Sequence, residues 1–174
     1  VYSLILDVTA GNRCYWKNKH PPQVIFIDKE YGLNIPPDIF AVWEHLPIRS
    51  GLPKVTVLFD PPHMRIGQNS RHNNPRGWHK VDGKWVGGTW WGNLGKDKEA
   101  WVKSFHLASQ EFYRVSDILC LKWNEYQHKL EAILPIFSLW FMLQKKPHHN
   151  RKRRGKTNTY WVTFVKEAPH INDN

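Results

Sequence analysis

The chain has 174 residues, 41% of them hydrophobic, which suits one domain (1–174) with a real core and leaves little room for two. Its formal charge of +10 and pI near 9.7 point to polyanionic partners such as nucleic acid. No apolar stretch approaches the ~20 residues of a membrane-spanning helix, and no secretory signal precedes the first strand-like residues, so the sequence reads as soluble and cytoplasmic with no membrane partner.

In chain order, short runs rich in β-branched and aromatic residues recur at Tyr2 to Leu6, Val24 to Ile27, Ile39 to Val42, Val55 to Phe59, Ile118 to Lys122 and Tyr160 to Val165. Each is of strand length, and several are apolar on both faces, the pattern of a parallel sheet covered by helices. The first crossover is brief, because Pro21 and Pro22 stop any helix begun near Asn12 after about two turns. Lys96 to Arg114 is the clearest helix: Trp101, Phe105, Ala108 and Phe112 fall on one face at three- and four-residue spacing. Between the fourth strand and this helix, Gln68 to Gly95 shows no periodicity and is dominated by Gly, Asn, His, Trp and Arg. Its tryptophans, Trp78, Trp85, Trp90 and Trp91, argue for an ordered functional loop over a floppy insertion. Towards the end, Phe141 to Lys145 and Thr159 to Lys166 are expected to pair as a hairpin around a basic loop at 146–158. That loop holds Arg151, Lys152, Arg153 and Arg154, and reads either as a solvated charge run or as a phosphate-backbone contact. Cys14 and Cys120 match no metal or redox spacing and read as reduced structural thiols, while the ten histidines lack any hard metal motif, so no metal is expected.

Three acids fall at strand exits. Asp7 ends the first strand and leads into Val8-Thr9-Ala10-Gly11, a small-residue turn of the kind that brings backbone N–H groups close to a ligand. Asp28 ends the second strand 21 residues later, the spacing at which an acid grips a nucleotide ribose. Asp60 follows Val55 to Phe59 and opens Asp60-Pro61-Pro62-His63. The two prolines lack N–H donors and fix φ, so the strand stops there and the carbonyls of Asp60 and Pro61 are released from the ladder. A carboxylate beside a carbonyl receives the two hydrogens of an amino group, although a Pro-rich strand terminator with a capping Asp has the same sequence.

In these features the chain resembles the class I S-adenosylmethionine-dependent methyltransferases, and within them the amino-methyltransferases that carry Asp/Asn-Pro-Pro followed by an aromatic. The resemblance implies an α/β fold with a Rossmann-like class I methyltransferase sheet, mostly parallel with a reversed final strand and with helices on both faces. It implies S-adenosylmethionine as cofactor, held by Asp7, Thr9, Ala10, Gly11, Asp28 and Phe59 and, in the Asp38 to Pro47 segment that flanks adenine, by Trp43. Phe112-Tyr113-Arg114-Val115, then Ile118 to Lys122 and Trp123-Asn124-Glu125, look like the family's Phe-x-Arg-Val helix end and fifth strand. Tyr160 to Lys166 looks like its reversed last strand. Three positions depart from the pattern: the Gly-x-Gly of the first motif is reduced to Gly11, Ser116-Asp117 replaces a Lys-Pro-Gly-Gly turn, and His63 stands where the aromatic would stack on a base.

The chemistry so implied is methyl transfer to an exocyclic amine of a nucleic-acid base, with Asp60, Pro61, Pro62 and His63 as the catalytic turn. Hydrogen bonds from the amine to Asp60 and to the Pro61 carbonyl localise its lone pair, and the charge that develops on nitrogen is then stabilised by the carboxylate. Asn124 is a candidate acceptor contact or a plain turn residue, and Trp90, Trp91, Arg151, Arg153 and Arg154 are candidate substrate contacts. Two alternatives compete: a nucleic-acid-binding module that kept the fold without catalysis, and a methyltransferase for a small-molecule or protein acceptor. DNA and RNA, adenine and cytosine, and monomer and dimer are equally compatible with the sequence.

Overall fold

The computed structural model describes residues 3–13, 16–29, 33–61, 97–125, 128–148 and 158–167, together with the backbone of 79–81 and 84–86. Seven strands form one mixed sheet: β1 (Leu4–Asp7), β2 (Val24–Asp28), β3 (Ile39–Phe40), β4 (Val55–Phe59), β7 (Ile118–Asn124), β8 (Phe141–Pro147) and β9 (Thr159–Val165). Their order is β3-β2-β1-β4-β7-β9-β8. The first five are parallel, and β9 runs antiparallel to both β7 and β8. The architecture is α/β, with a parallel body and an antiparallel edge.

Alternation within the strands decides which side of the sheet is packed. Val55, Val57 and Phe59 of β4, Leu119, Leu121 and Trp123 of β7, and Val162 and Phe164 of β9 all point into one core. Helix α1 (Lys98–Val115) covers that face with Trp101, Phe105, Ala108 and Phe112, the residues whose spacing predicts it. The helix starts where Asp97 accepts the N–H groups of Glu99 and Ala100 at 2.9 and 3.2 Å, a cap worth about 1 kcal/mol. Phe59 is the hub of the aromatic packing, with edge-on contacts to Trp43, Phe105 and Phe112 at centroid distances of 5.5, 5.5 and 4.9 Å. Two short 3-10 segments, Leu130–Ala132 and Leu134–Phe137, add Leu130, Ile136 and Phe137 to the same core.

The opposite face is where expectation and structure part. Helices on both faces are predicted, but among the described residues α1 is the one α-helix, and the described residues of the first crossover, between Val8 and Gln23, form turns and bends. Arg13 explains why no helix starts at Asn12: its φ is 54°, outside the helical region, and its guanidinium is buried. That guanidinium donates to the carbonyls of Lys19 and Pro36 at 2.6 and 2.8 Å, pairs with Asp38 at 3.0 Å and lies 3.9 Å over the Phe26 ring. The crossover is thus pinned by side-chain bonds instead of by its own helix. Trp16 covers this face beside it, edge-on to Phe26 at 5.7 Å.

The third strand is shorter than predicted, Ile39–Phe40 against Ile39 to Val42: the N–H of Ala41 makes the last bond to β2, on the carbonyl of Asp28, and the chain then turns, with the N–H of His45 bonded to the carbonyl of Val42 at 3.1 Å. The 68–95 loop is not without regular structure: β5 (His79–Val81) and β6 (Lys84–Val86) pair antiparallel within it. Asp82-Gly83, a strong two-residue hairpin signal, separates them in the sequence. The remainder of that loop, with Trp90 and Trp91, lies outside the described residues, as does Cys14. The predicted β8–β9 hairpin is present, with β8 extended to Pro147.

Candidate functional site

The strand order reverses between β1 and β4, since the chain leaves β1 for β2 on one side and returns to β4 on the other. Open α/β sheets bind ligands outside the carboxyl ends of the strands at such a point. Asp7 is the last residue of β1, Asp28 the last of β2, and Asp60 the first after β4, so the three acids meet there.

The turn after β1 is built by these acids. Asp7 accepts the indole N–H of Trp16 at 2.8 Å and the backbone N–H of Thr9 at 3.3 Å. Gly11 sits at φ 48°, the left-handed region that a side chain disfavours, and its N–H donates to Asp28 Oδ2 at 2.8 Å. Ala10 N–H bonds to the carbonyl of Ile27 at 3.2 Å, so the turn is stitched to the end of β2 at two successive places. On the other side, the N–H of Asp60 donates to the Thr9 hydroxyl oxygen at 2.8 Å. One small-residue turn therefore touches the tips of β1, β2 and β4.

Asp7 is 2% exposed, and burial pushes its carboxyl up from 3.8 to about 6. The bonds from Trp16 and Thr9 hold it back, while the negative charges of Asp60 and Asp28 add to the rise. The ionised form of Asp7 is thus held at this edge at a cost that comes mainly from burial.

Asp60 has a neighbour that the sequence pattern does not reveal. Lys122 Nζ lies 3.3 Å from Asp60 Oδ2, with both side chains almost buried, and it also lies 6.0 Å from the centroid of the Trp161 ring. The register brings them together: Phe59 pairs with Leu121, and the residues that follow these two are Asp60 and Lys122. The available signal was a lone lysine within the apolar run Ile-Leu-Cys-Leu-Lys-Trp of β7.

The remaining predicted residues divide by position. Trp43 packs on Phe59 from the core side, donates its indole N–H to Ser104 at 3.0 Å, and lies 5.5 Å below the ammonium of Lys29, next to Asp28. Phe59 itself is 0% exposed, so it can reach a ligand only through its backbone. Asn124 donates to the Thr159 hydroxyl oxygen at 2.7 Å and joins the ends of β7 and β9. Pro61 is buried and follows Asp60 at the edge, whereas Pro62, His63, Arg151, Arg153 and Arg154 lie outside the described residues. Arg13 also carries no signal in the sequence: it orders Asp38, whose other oxygen accepts the N–H of Phe26 at 2.9 Å, so Asp38 is committed to the scaffold.

Arg114, from the Phe-x-Arg-Val sequence, has a structural task. It donates to the carbonyls of Ile48 and Leu46 and to Glu111, while Glu111 accepts the N–H of Leu46 at 2.7 Å. The Arg114 bond holds the Glu111 carboxyl below its usual value. Together they fasten the 46–48 segment, just after Trp43, to the end of α1. Among the described residues no cluster of His, Cys, Asp and Glu could hold a metal, and no helix is long and apolar enough to cross a membrane. Neither a known protein-family model nor a curated protein matches the chain.

Proposed function

We propose that the protein is an S-adenosylmethionine-dependent methyltransferase that modifies an exocyclic amine of a nucleic-acid base. One observation carries this: a buried Asp7, driven to about 6 and pressed by Asp28 and Asp60, at the reversal point of a sheet whose last strand runs backwards. S-adenosylmethionine carries a sulfonium and an ammonium beside one carboxylate, and an edge lined by carboxylates fits its two cationic groups better than it fits a phosphate. Asp7 and the 8–11 turn would hold the methionine end, Asp28 the ribose hydroxyls, and Trp43 the adenine side. The Gly11 N–H on one oxygen of Asp28 fixes that carboxylate beside the turn.

The cofactor supplies an electrophilic methyl group, and the chain's work is alignment. Asp60 and the Pro61 carbonyl accept the two amine hydrogens and direct the nitrogen lone pair away from the ring. Lys122 holds the Asp60 carboxylate in one orientation from 3.3 Å and offsets the repulsion that Asp7 exerts on it. As the nitrogen becomes positive, Asp60 is already in place opposite it, so the stabilisation grows towards the transition state.

The test has two arms. Calorimetric titration with S-adenosylmethionine and with its demethylated product shows binding, and Asp60→Ala abolishes methyl transfer to an oligonucleotide while the cofactor affinity stays near that of the parent. Absence of heat with either compound overturns the reading. Full activity of the Asp60 variant overturns the role of Asp60 alone.

A further inference from the structure

Beyond Asp60, the register of the sheet lays out a row that leads away from it. Lys122 is paired with Trp161, and Trp161 with Lys146 on the other side. Directly opposed residues of antiparallel strands share a face, so Lys122, Trp161 and Lys146 stand side by side. That face is the one without α1, because the neighbours Leu121 and Val162 point into the core beneath the helix. Asp60 begins the row, joined to Lys122 at 3.3 Å, and the Trp161 ring lies 6.0 Å from the same ammonium.

The indole is oriented as well as placed. Its N–H donates to His148 Nδ1 at 3.3 Å, and the two rings meet edge-on at 6.5 Å. An indole nitrogen only donates, so Nδ1 of His148 is the acceptor and its remaining proton sits on Nε2 as a further donor. His148 is fastened in turn by its own N–H to the carbonyl of Thr159 at 2.7 Å. Trp161 is half-buried, while Lys146 and His148 are exposed. An oriented aromatic flanked by two lysines and an imidazole donor is the composition of a single-strand nucleic-acid platform, where bases stack and phosphates meet cations.

We infer that Lys122, Trp161, Lys146 and His148 form a track for a single-stranded nucleic acid, which seats the nucleotide next to the modified one on Trp161 and its phosphates on Lys146 and His148. The inference rests on the methyltransferase reading for its direction, since the row starts at Asp60. It supplies an aromatic for the acceptor strand where the catalytic turn carries His63. A duplex fits the row less well, because its bases are stacked on one another and present no ring face to Trp161.

The experiment is fluorescence anisotropy with a labelled 12-nucleotide oligodeoxyadenylate, with the same oligonucleotide in duplex form as competitor. The parent protein prefers the single strand. Trp161→Ala weakens binding by about fivefold or more, and Trp161→Phe restores most of it, a rescue that tracks the ring and not merely the fold. Lys146→Ala, at an exposed position, lowers the slope of log Kd against log salt by about 0.7, the value for one lost phosphate contact on a single strand. Titration of each variant with the demethylated cofactor reads the methyltransferase site separately. Unchanged affinity in Trp161→Ala, an unchanged salt slope in Lys146→Ala, or preference for the duplex overturns the track and leaves the cofactor site standing. Loss of cofactor heat in the parent overturns the methyltransferase reading and leaves the track to be judged by the anisotropy.

Discussion

Asp7→Asn is expected to make the protein more stable and less able to bind its ligand. The carboxyl is 2% exposed and ionises near 6 in the folded chain against 3.8 in the unfolded one. Below 3.8 it is protonated in both states and has no effect on stability. Between 3.8 and about 6 the unfolded chain releases the proton while the folded chain keeps it, so stability falls as pH rises. Above about 6 both states are ionised and the penalty is constant. At about 1.4 kcal/mol per pH unit, this penalty amounts to about 3 kcal/mol. Asparagine keeps one oxygen for the Trp16 indole N–H at 2.8 Å and loses the longer bond from the Thr9 N–H, whose acceptor oxygen becomes an NH2 group, while it removes the charge that Asp28 and Asp60 oppose. Urea denaturation of parent and variant at a series of pH values is the assay. Between pH 4 and pH 8 the variant gains about 3 kcal/mol on the parent, and with about 1 kcal/mol subtracted for the lost Thr9 bond it is about 2 kcal/mol more stable at pH 8, which for a chain of this length raises Tm by about 4–8 °C. Parallel pH curves, or a variant less stable than the parent at pH 8, would show that Asp7 is not held ionised at a cost. A stabilised variant that still binds cofactor at parental affinity would show that the strain serves something else.

On the methyltransferase reading the same carboxyl predicts that affinity for S-adenosylmethionine weakens about tenfold per pH unit below about 6, because the cation favours the ionised form; calorimetry at pH 5 and 7.5 that gives one Kd refutes this. Arg13→Met leaves the carbonyls of Lys19 and Pro36 without their buried donor and is expected to cost about 3 kcal/mol, seen as a fall in Tm of about 6–12 °C, and a fall of only a degree or two would mean that the first crossover is not held by this side chain.

Much of the sheet is legible in the sequence because its grammar is local. The runs at 24–27 and 55–59 are β-branched and apolar, and both fold as strands that extend at most a residue further. The helix periodicity at Trp101, Phe105, Ala108 and Phe112 corresponds to the buried face of α1, and Asp97 supplies a start signal one residue before it. Where the expectation fails, a side chain overrides a local rule. The residues from Asn12 onwards are able to start a helix, but a buried guanidinium with its own carbonyl partners holds Arg13 at positive φ instead. The hairpin at 79–86 escapes a reading based on apolar alternation, because its strands are short and polar and are marked chiefly by Asp82-Gly83.

From the sequence alone came the acids at the strand tips, Asp7, Asp28 and Asp60, and the small-residue turn at 8–11, since an apolar run broken by Gly or Pro is visible without knowing any neighbour. The partners that stand beside those acids were decided only by tertiary structure. Lys122 lies 62 residues from Asp60 along the chain and 3.3 Å from it in space, and Trp161 arrives from the far side of a hairpin. Strand order and register fix such partners, and both are set by which faces of distant segments are buried together, a property of the whole sheet that no single segment carries.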